Sequence, residues 1–311
     1  MERDLVTGGA GFIGSNLVER LLERGFRVRV IDNVSTGNAD NLAEFEGKID
    51  FFKGDIKSLE DMTKACEGVE GVFHQAALPS VARSVEKPMD TNENNVIGSL
   101  SLLEACRKND VKKVVFASSS SVYGDTDELP KKEGMSMRPL SPYAASKIAM
   151  EYYFYAFSKV YGIDSIGLRY FNVYGPRQNP ESEYSAVVPR FIHTVLCGLT
   201  PVIYGDGKQS RDFTYVKDIV QANLLAMESR IRGCDFFNVG SGKSLTVNQL
   251  LETIGSLIGK ASKAEYLPPR EGDIRESLAD ITKIRESLMF APKYDVENGL
   301  RETIEWFRNR G

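Results

Sequence analysis

The stretch Thr7-Gly8-Gly9-Ala10-Gly11-Phe12-Ile13-Gly14 decides the fold. Gly8, Gly11 and Gly14 stand at the spacing of a strand-to-helix turn that wraps a dinucleotide. Before the turn, Leu5-Val6-Thr7 reads as a short buried strand. After it, Ser15 to Arg24 reads as an amphipathic helix, with Leu17 and Leu21, and Val18 and Leu22, at helical spacing and Gly25 as its stop. Gly8 permits the tight turn, Gly11 lets the backbone close on a pyrophosphate, and Gly14 lets the helix pack against the strand. The helix start, with Phe12 and Ile13, offers unpaired N–H groups and a positive dipole end to the phosphates. A second strand, Arg27 to Asp32, ends on a carboxylate that accepts hydrogen bonds from an adenosine ribose, with Asn33 beside it. That carboxylate repels a 2′-phosphate and no arginine follows at once, which favours NAD over NADP.

The second decisive stretch is Tyr143-Ala144-Ala145-Ser146-Lys147. On a helix, residues four apart lie one above the other on the same face. Tyrosine is a poor base at its ordinary pKa of about 10. A neighbouring ammonium and an oxidised nicotinamide both favour the phenolate, so Lys147 is expected to bring Tyr143 toward working pH. A phenolate so placed takes the proton of a substrate hydroxyl while hydride leaves the same carbon. The run Ser118-Ser119-Ser120-Ser121 supplies a hydroxyl to steady that proton.

Between and beyond these motifs, strands and helices alternate. Asp50 to Asp55, Gly71 to Ala77 and Lys113 to Ser118 read as strands. Helices are expected after Ser58 and from Asn95 to Asn109. The alternation predicts an α/β fold: a Rossmann-type, doubly wound parallel sheet with helices on both faces. After Asn172 the regularity gives way to Gly175-Pro176-Arg177-Gln178-Asn179-Pro180, which is loop chemistry. Expected boundaries are 1–172 for a dinucleotide domain and 173–311 for a smaller C-terminal α/β substrate domain. The segment near 212–243 is a candidate to return to the first.

With 39 basic and 43 acidic residues, the net charge of −4 leaves no footprint for nucleic acid. Four scattered cysteines without a Cys-x-x-Cys pair, and only two histidines, argue against a structural zinc or a disulfide framework, and no metal is expected. Reduced thiols fit the cytoplasm. No apolar run reaches the length of a membrane span, and the charged Met1-Glu2-Arg3-Asp4 does not read as a signal peptide.

Six motifs in order give the chain a resemblance over essentially its whole length. They are TGGAGFIGS (7–15), SSSSVYG (118–124), SPYAASK (141–147), LRYFNVYGPR (168–177), GDGKQSRDFTYVKD (205–218) and PPREGDIRESLAD (268–280). The chain resembles extended short-chain dehydrogenases/reductases of the UDP-hexose 4-epimerase branch. The resemblance implies a catalytic hydroxyl on Ser119, with Tyr143 as base and Lys147 as its partner and holder of the nicotinamide ribose. Asp55 and Ile56 would flank adenine, Ala76 would line the NAD cleft, and Asn95 falls in a cofactor-side Asn-Val motif. Asn172 would touch the sugar nucleotide, and Val188, Ile203 and Tyr204 would hold uracil. Arg211 and Arg270 would clamp the diphosphate, a role suited to the planar guanidinium fork. Asp273 would take the uridine ribose. The implied reaction oxidises C4 of a UDP-hexose to a ketone, turns the sugar over, and returns hydride to the other face. A homodimer packing helices such as Asn95–Asn109 and Tyr143–Val160 is usual in such a family.

Alternatives stay open at this stage. Related dehydratases and decarboxylases carry acidic groups after the catalytic hydroxyl; here those positions are Ser120 and Ser121. Aligning Arg270-Glu271-Gly272-Asp273 and Leu278-Ala279-Asp280 with the family puts Ser277 at the C2 side of the sugar. Tyrosine there would exclude an N-acetyl group, and serine leaves space. UDP-glucose with UDP-galactose, their N-acetylated counterparts and UDP-glucuronic acid remain candidate substrates. A non-catalytic NAD-binding scaffold is the reading from a different class.

Overall fold

The structure, a computed structural model, describes residues 3–180, 186–260, 263–269 and 274–309. Seven strands form one sheet: β1 (Arg3–Thr7), β2 (Arg27–Asp32), β3 (Ile49–Lys53), β4 (Gly71–His74), β5 (Lys113–Ser119), β6 (Asp164–Tyr170) and β7 (Cys234–Val239). Their order is β7-β6-β5-β4-β1-β2-β3, and every neighbouring pair is parallel. This is the doubly wound, Rossmann-type sheet, with the topological switch between β1 and β4.

The near-continuous apolar strands follow from burial on both faces. Val6, Phe73, Val115 and Leu168 point into one core, while Leu5, Val72, Val114 and Phe116 point into the other; all eight are fully buried. Each such side chain contributes roughly 1.5–3 kcal/mol of burial free energy. The helix expected from Ser15 starts at Phe12 and ends at Glu23, burying Leu17, Val18 and Leu21. The helix expected from Asn95 begins earlier. Pro88, pre-set for a first helical turn, opens Pro88–Asn92, and a π-helical turn over Glu93–Ile97 leads into Gly98–Lys108.

Beyond β6, a third core joins the Val187–Leu196, Val247–Ile258 and Val296–Arg308 helices through Val188, Phe191, Leu250, Ile254, Leu300 and Ile304. Short strands edge this part. Ser210–Arg211 pairs with both Leu245–Thr246 and Glu276–Ser277, and Glu265–Leu267 pairs with Val202–Tyr204. Asn16 and Arg177 tie the Gly175-Pro176-Arg177 loop back to the first helix. Asn16 Nδ2 donates to the Pro176 carbonyl at 3.1 Å, and the buried Arg177 pairs with Glu19 at 2.7 Å.

Candidate active site

The glycine turn leaves β1 at the carboxyl end of the sheet. Gly8 adopts φ +70°, and a Cβ there would sit 2.7 Å from the Ala76 backbone. Gly14 differs from expectation in its reason: a Cβ would lie 2.2 Å from the Gly8 carbonyl oxygen, so the turn itself, rather than the strand, demands glycine. The following helix has Gly11 at its N-cap and so no side-chain cap, leaving its first N–H groups for a ligand. Phe12 and Ile13 turn their side chains into the cores below, leaving their backbone as the part available to a phosphate.

Asp32 accepts the Ala10 N–H at 2.9 Å and the Val34 N–H at 2.7 Å, so its carboxylate braces the turn. Each oxygen keeps a second lone pair for a ribose hydroxyl. Asn33 Nδ2 donates to Asp55 Oδ2 at 3.3 Å. One cleft is lined by Gly8, Gly11, Asp32, Asn33, Ile56 and Ala76; Asp55 stands between its lining residues Gly54 and Ile56. A narrow backbone cradle, an uncapped helix start and a carboxylate at the end of β2 fit a dinucleotide.

Asn95, expected to contact the cofactor, is instead fully buried with its side chain engaged within the protein. Its Oδ1 accepts the Leu78 N–H at 2.8 Å, and its Nδ2 donates to the Leu78 carbonyl and, at 3.0 Å, to Ser146 Oγ. It therefore holds a cleft segment to the helix of Tyr143. The same network runs back to β1. Ser99 Oγ donates to the Asn95 carbonyl at 2.5 Å, so it accepts from His74 Nε2 at 3.0 Å, and His74 Nδ1 accepts from Thr7 Oγ1 at 2.8 Å. Burial, with the nearby Lys147 charge, pushes the imidazole pKa down to about 3 and keeps it neutral.

The helix Pro142–Tyr161 opens with Ser141 as cap, its hydroxyl accepting the Ala144 N–H at 3.1 Å, and with Pro142 in the first turn. That start fixes Tyr143 against the end of β5. Ser119 caps the short 3₁₀ turn Ser120–Tyr123, accepting the Ser121 N–H at 3.1 Å, and its hydroxyl lies close enough to the Tyr143 phenol to favour the phenolate. Lys147 Nζ donates to the Ala117 carbonyl at 2.8 Å and lies 5.9 Å from the centre of the Tyr143 ring. Burial raises the Tyr143 phenol above its ordinary value, and the nearby Ser119 hydroxyl only partly offsets this. The sequence argument expected Lys147 to lower it. Here the ammonium is turned to a carbonyl, so desolvation prevails.

Burial also brings Lys147 down to about 8, against a partial offset from Glu151. Its native pKa lies below the unfolded value near 10.5, so the folded state binds fewer protons between these pH values. The cost of burying the ammonium is fully present below about pH 8 and is relieved as pH rises toward 10.5. Denaturant unfolding of the cofactor-free protein should show this. The stability of wild type relative to Lys147→Met should increase by up to about 3 kcal/mol from pH 7 to pH 10.5. A pH-independent difference would contradict a buried, depressed lysine.

A second cavity of about 430 Å³ gathers five of the residues expected at the substrate: Asn172, Val188, Ile203, Tyr204 and Arg211. Asn172, at φ +26°, donates from Nδ2 to the Asp212 carbonyl at 3.2 Å. Arg211 Nη1 donates to the carbonyls of Ser210 and Arg275. Arg190, which the sequence reading missed, also lines the cavity. A basic residue inside the otherwise apolar run Val187-Val188-Pro189-Arg190-Phe191-Ile192 was its signal. Among the described lining residues Arg190 and Arg211 are basic and none is a carboxylate. Leu78 lines the first cleft while Pro79 and Val81 line this one, so the two meet across that segment. Ser277 is buried and in strand register with Arg211 but is not a lining residue of the cavity. Arg270 and Asp273 lie outside the described residues.

Sequence reading also missed the buried pair behind Lys147. Arg169 grips Glu151 with two bonds of 2.9 and 2.7 Å, and Glu151 accepts the Ser118 hydroxyl at 2.5 Å. A charge inside the apolar strand β6, and an acid four residues after Lys147, were the available signals.

The family model for the NAD dependent epimerase/dehydratase family matches residues 5–240. The chain belongs to that family. It is 42% identical to the UDP-glucose 4-epimerase of Mycolicibacterium smegmatis, over 99% of each chain. Among solved structures of the family, it superposes on UDP-glucose 4-epimerase of Thermotoga maritima with UDP-glucose at a TM-score of 0.95, with 42% identity over 99% of both chains. It superposes equally well, at 0.95, on UDP-N-acetylglucosamine 4-epimerase of Methanobrevibacter ruminantium in complex with UDP-N-acetylmuramic acid, with 45% identity over 100% of this chain and 99% of the other.

Proposed function

We propose that the protein is an NAD-dependent UDP-hexose 4-epimerase that acts through a transient 4-keto sugar. The observation that carries this reading is the gathering of Ser119, Tyr143 and Lys147 at the end of β5, on a helix that Asn95 ties to the segment where a dinucleotide-shaped cleft meets a cavity lined by Arg190 and Arg211. The similarity to 4-epimerases at 42–45% identity over nearly the whole chain supports it. Gly8, Gly11, the helix start at Phe12, Asp32 and Ala76 would hold NAD, which accepts and returns a hydride when bound. Tyr143 takes the proton from O4 of the sugar and later gives it back, and Ser119 steadies that proton. Lys147 keeps positive charge beside the phenol. Arg211, with Arg190, neutralises the diphosphate, and Val188, Ile203 and Tyr204 enclose the base. A scaffold that only bound NAD would have no use for a serine–tyrosine–lysine set. Residues 1–172 with the strand β7 would serve the cofactor, and the remainder the nucleotide sugar. A cytoplasmic homodimer is part of the same reading: Tyr152, Tyr155, Val160 and Tyr161 are large apolar side chains exposed on one helix.

The sugar is the finer part of the proposal. Although Ser277 does not line the described cavity, the family alignment puts it on the C2 side of the sugar, and on that alignment we infer that N-acetylated UDP-hexoses are turned over alongside UDP-glucose. Initial rates on UDP-glucose, UDP-N-acetylglucosamine and UDP-glucuronic acid, measured side by side, test it. Ser277→Tyr should lose activity on the N-acetylated sugar by roughly tenfold to a hundredfold more than on UDP-glucose, since overpacking costs on the order of 1–3 kcal/mol. Equal losses on both would remove Ser277 from the pocket wall. Exclusive turnover of UDP-glucuronic acid would overturn the choice of sugar.

A further inference from the structure

Three consecutive residues at the end of β5 face three side chains spaced four apart on one helix. The Ala117 carbonyl accepts from Lys147, Ser118 Oγ donates to Glu151 at 2.5 Å, and Ser119 stands beside the Tyr143 phenol. Residues 143, 147 and 151 share a helix face, so the ladder fixes how far the strand end sits along the helix. Glu151 is the rung farthest along the helix, as buried as Lys147. Its side chain is 2% exposed and that of its partner Arg169 4%. Arg169 in turn reaches the Tyr123 hydroxyl at 2.9 Å and the Glu133 carbonyl at 3.1 Å, and Tyr123 donates to Asn238 of β7 at 2.6 Å. Neither Glu151 nor Arg169 lines the cofactor cleft or the substrate cavity.

We propose that Glu151, held by Arg169, is a positioning residue for the reaction: it sets Ser119 against Tyr143 through Ser118, and it supplies the negative charge that faces Lys147. This rests on the reading of Ser119, Tyr143 and Lys147 as the reacting groups. The surroundings of Lys147 make the charge argument specific. From β4, His74 faces it but is neutral. Tyr143, on its own helix, is held protonated by burial. From β5 come only the Ala117 carbonyl and serine hydroxyls. Around Glu151 itself, burial pushes the Cys234 thiol and the Tyr123 phenol up to about 12, so both are neutral. Among the described residues, Glu151 and Arg169 remain as the charges beside it. The carboxylate favours the ammonium, which burial alone would strip of its proton sooner.

The test is the pH dependence of kcat/KM from pH 6 to 10 on the NAD-loaded enzyme, with UDP affinity measured in parallel. The variants are Glu151→Gln, Ser118→Ala and the double variant Glu151→Gln/Arg169→Met. The double variant leaves no unpaired guanidinium and serves if the single one fails to fold. Loss of the carboxylate should move the alkaline limb down by about one pH unit, with kcat reduced and UDP affinity within twofold of wild type. Ser118→Ala should lower kcat about tenfold and leave the pH profile in place, separating register from charge. A folded Glu151 variant whose profile superimposes on wild type overturns the proposal, as does a variant whose UDP affinity falls in step with kcat. If Tyr143→Phe retained activity, the underlying reading would fail whatever the Glu151 variants did.

Discussion

Tyr143→Phe should lower kcat by about two to four orders of magnitude, the usual weight of a general base, while the protein folds and retains its cofactor. The substitution keeps the ring, which is buried beside Ser119 and Lys147, and removes only the oxygen. The loss should appear in kcat and kcat/KM alike, because the phenol acts on the proton in flight rather than on the bound nucleotide. UDP affinity should be unchanged, since the nucleotide cavity is lined by other residues. Turnover within fivefold of wild type would remove Tyr143 from its role as base.

Arg169→Leu should destabilise the protein by about 3–5 kcal/mol, because it leaves the Glu151 carboxylate buried without its counter-charge. The Tyr123 hydroxyl and the Glu133 carbonyl lose a donor in the same stroke. An exposed pair provides the contrast. Arg20 and Glu23 meet at 2.8 Å with both side chains about half exposed, so Arg20→Ala should cost under about 1 kcal/mol. Urea unfolding of both variants at pH 7 checks the pair of expectations. Equal small effects would mean that Arg169 stabilises no more than a surface arginine does.

The parts that were legible in the sequence are those encoded by local pattern. Gly8, Gly11, Gly14 and Asp32 occur within one strand–turn–helix–strand unit, where backbone sterics and a single carboxylate define the motif. The apolar runs of β1, β4 and β5 read as two-sided burial, which is how they pack. What escaped was set by long-range partners. The role of Asn95 depends on a π-helical turn that aims it at Leu78 and Ser146. The Lys147 ammonium turns to Ala117 rather than to the phenol, and that orientation comes from strand–helix packing, not from the four-residue spacing. Glu151 and Arg169 are 18 residues apart and read singly as a surface acid and a misplaced charge. Arg190 was hidden because its neighbours form an ordinary amphipathic helix.

The most direct test of 4-epimerisation at this site uses UDP-glucose carrying deuterium at C4, incubated with the purified enzyme in ordinary water with no cofactor added. The account predicts that UDP-galactose forms with the deuterium retained at C4, because the hydrogen leaves and returns within a closed site. Absence of the 4-epimer from both this substrate and UDP-N-acetylglucosamine, or product in which the label has been replaced by solvent hydrogen, would contradict it.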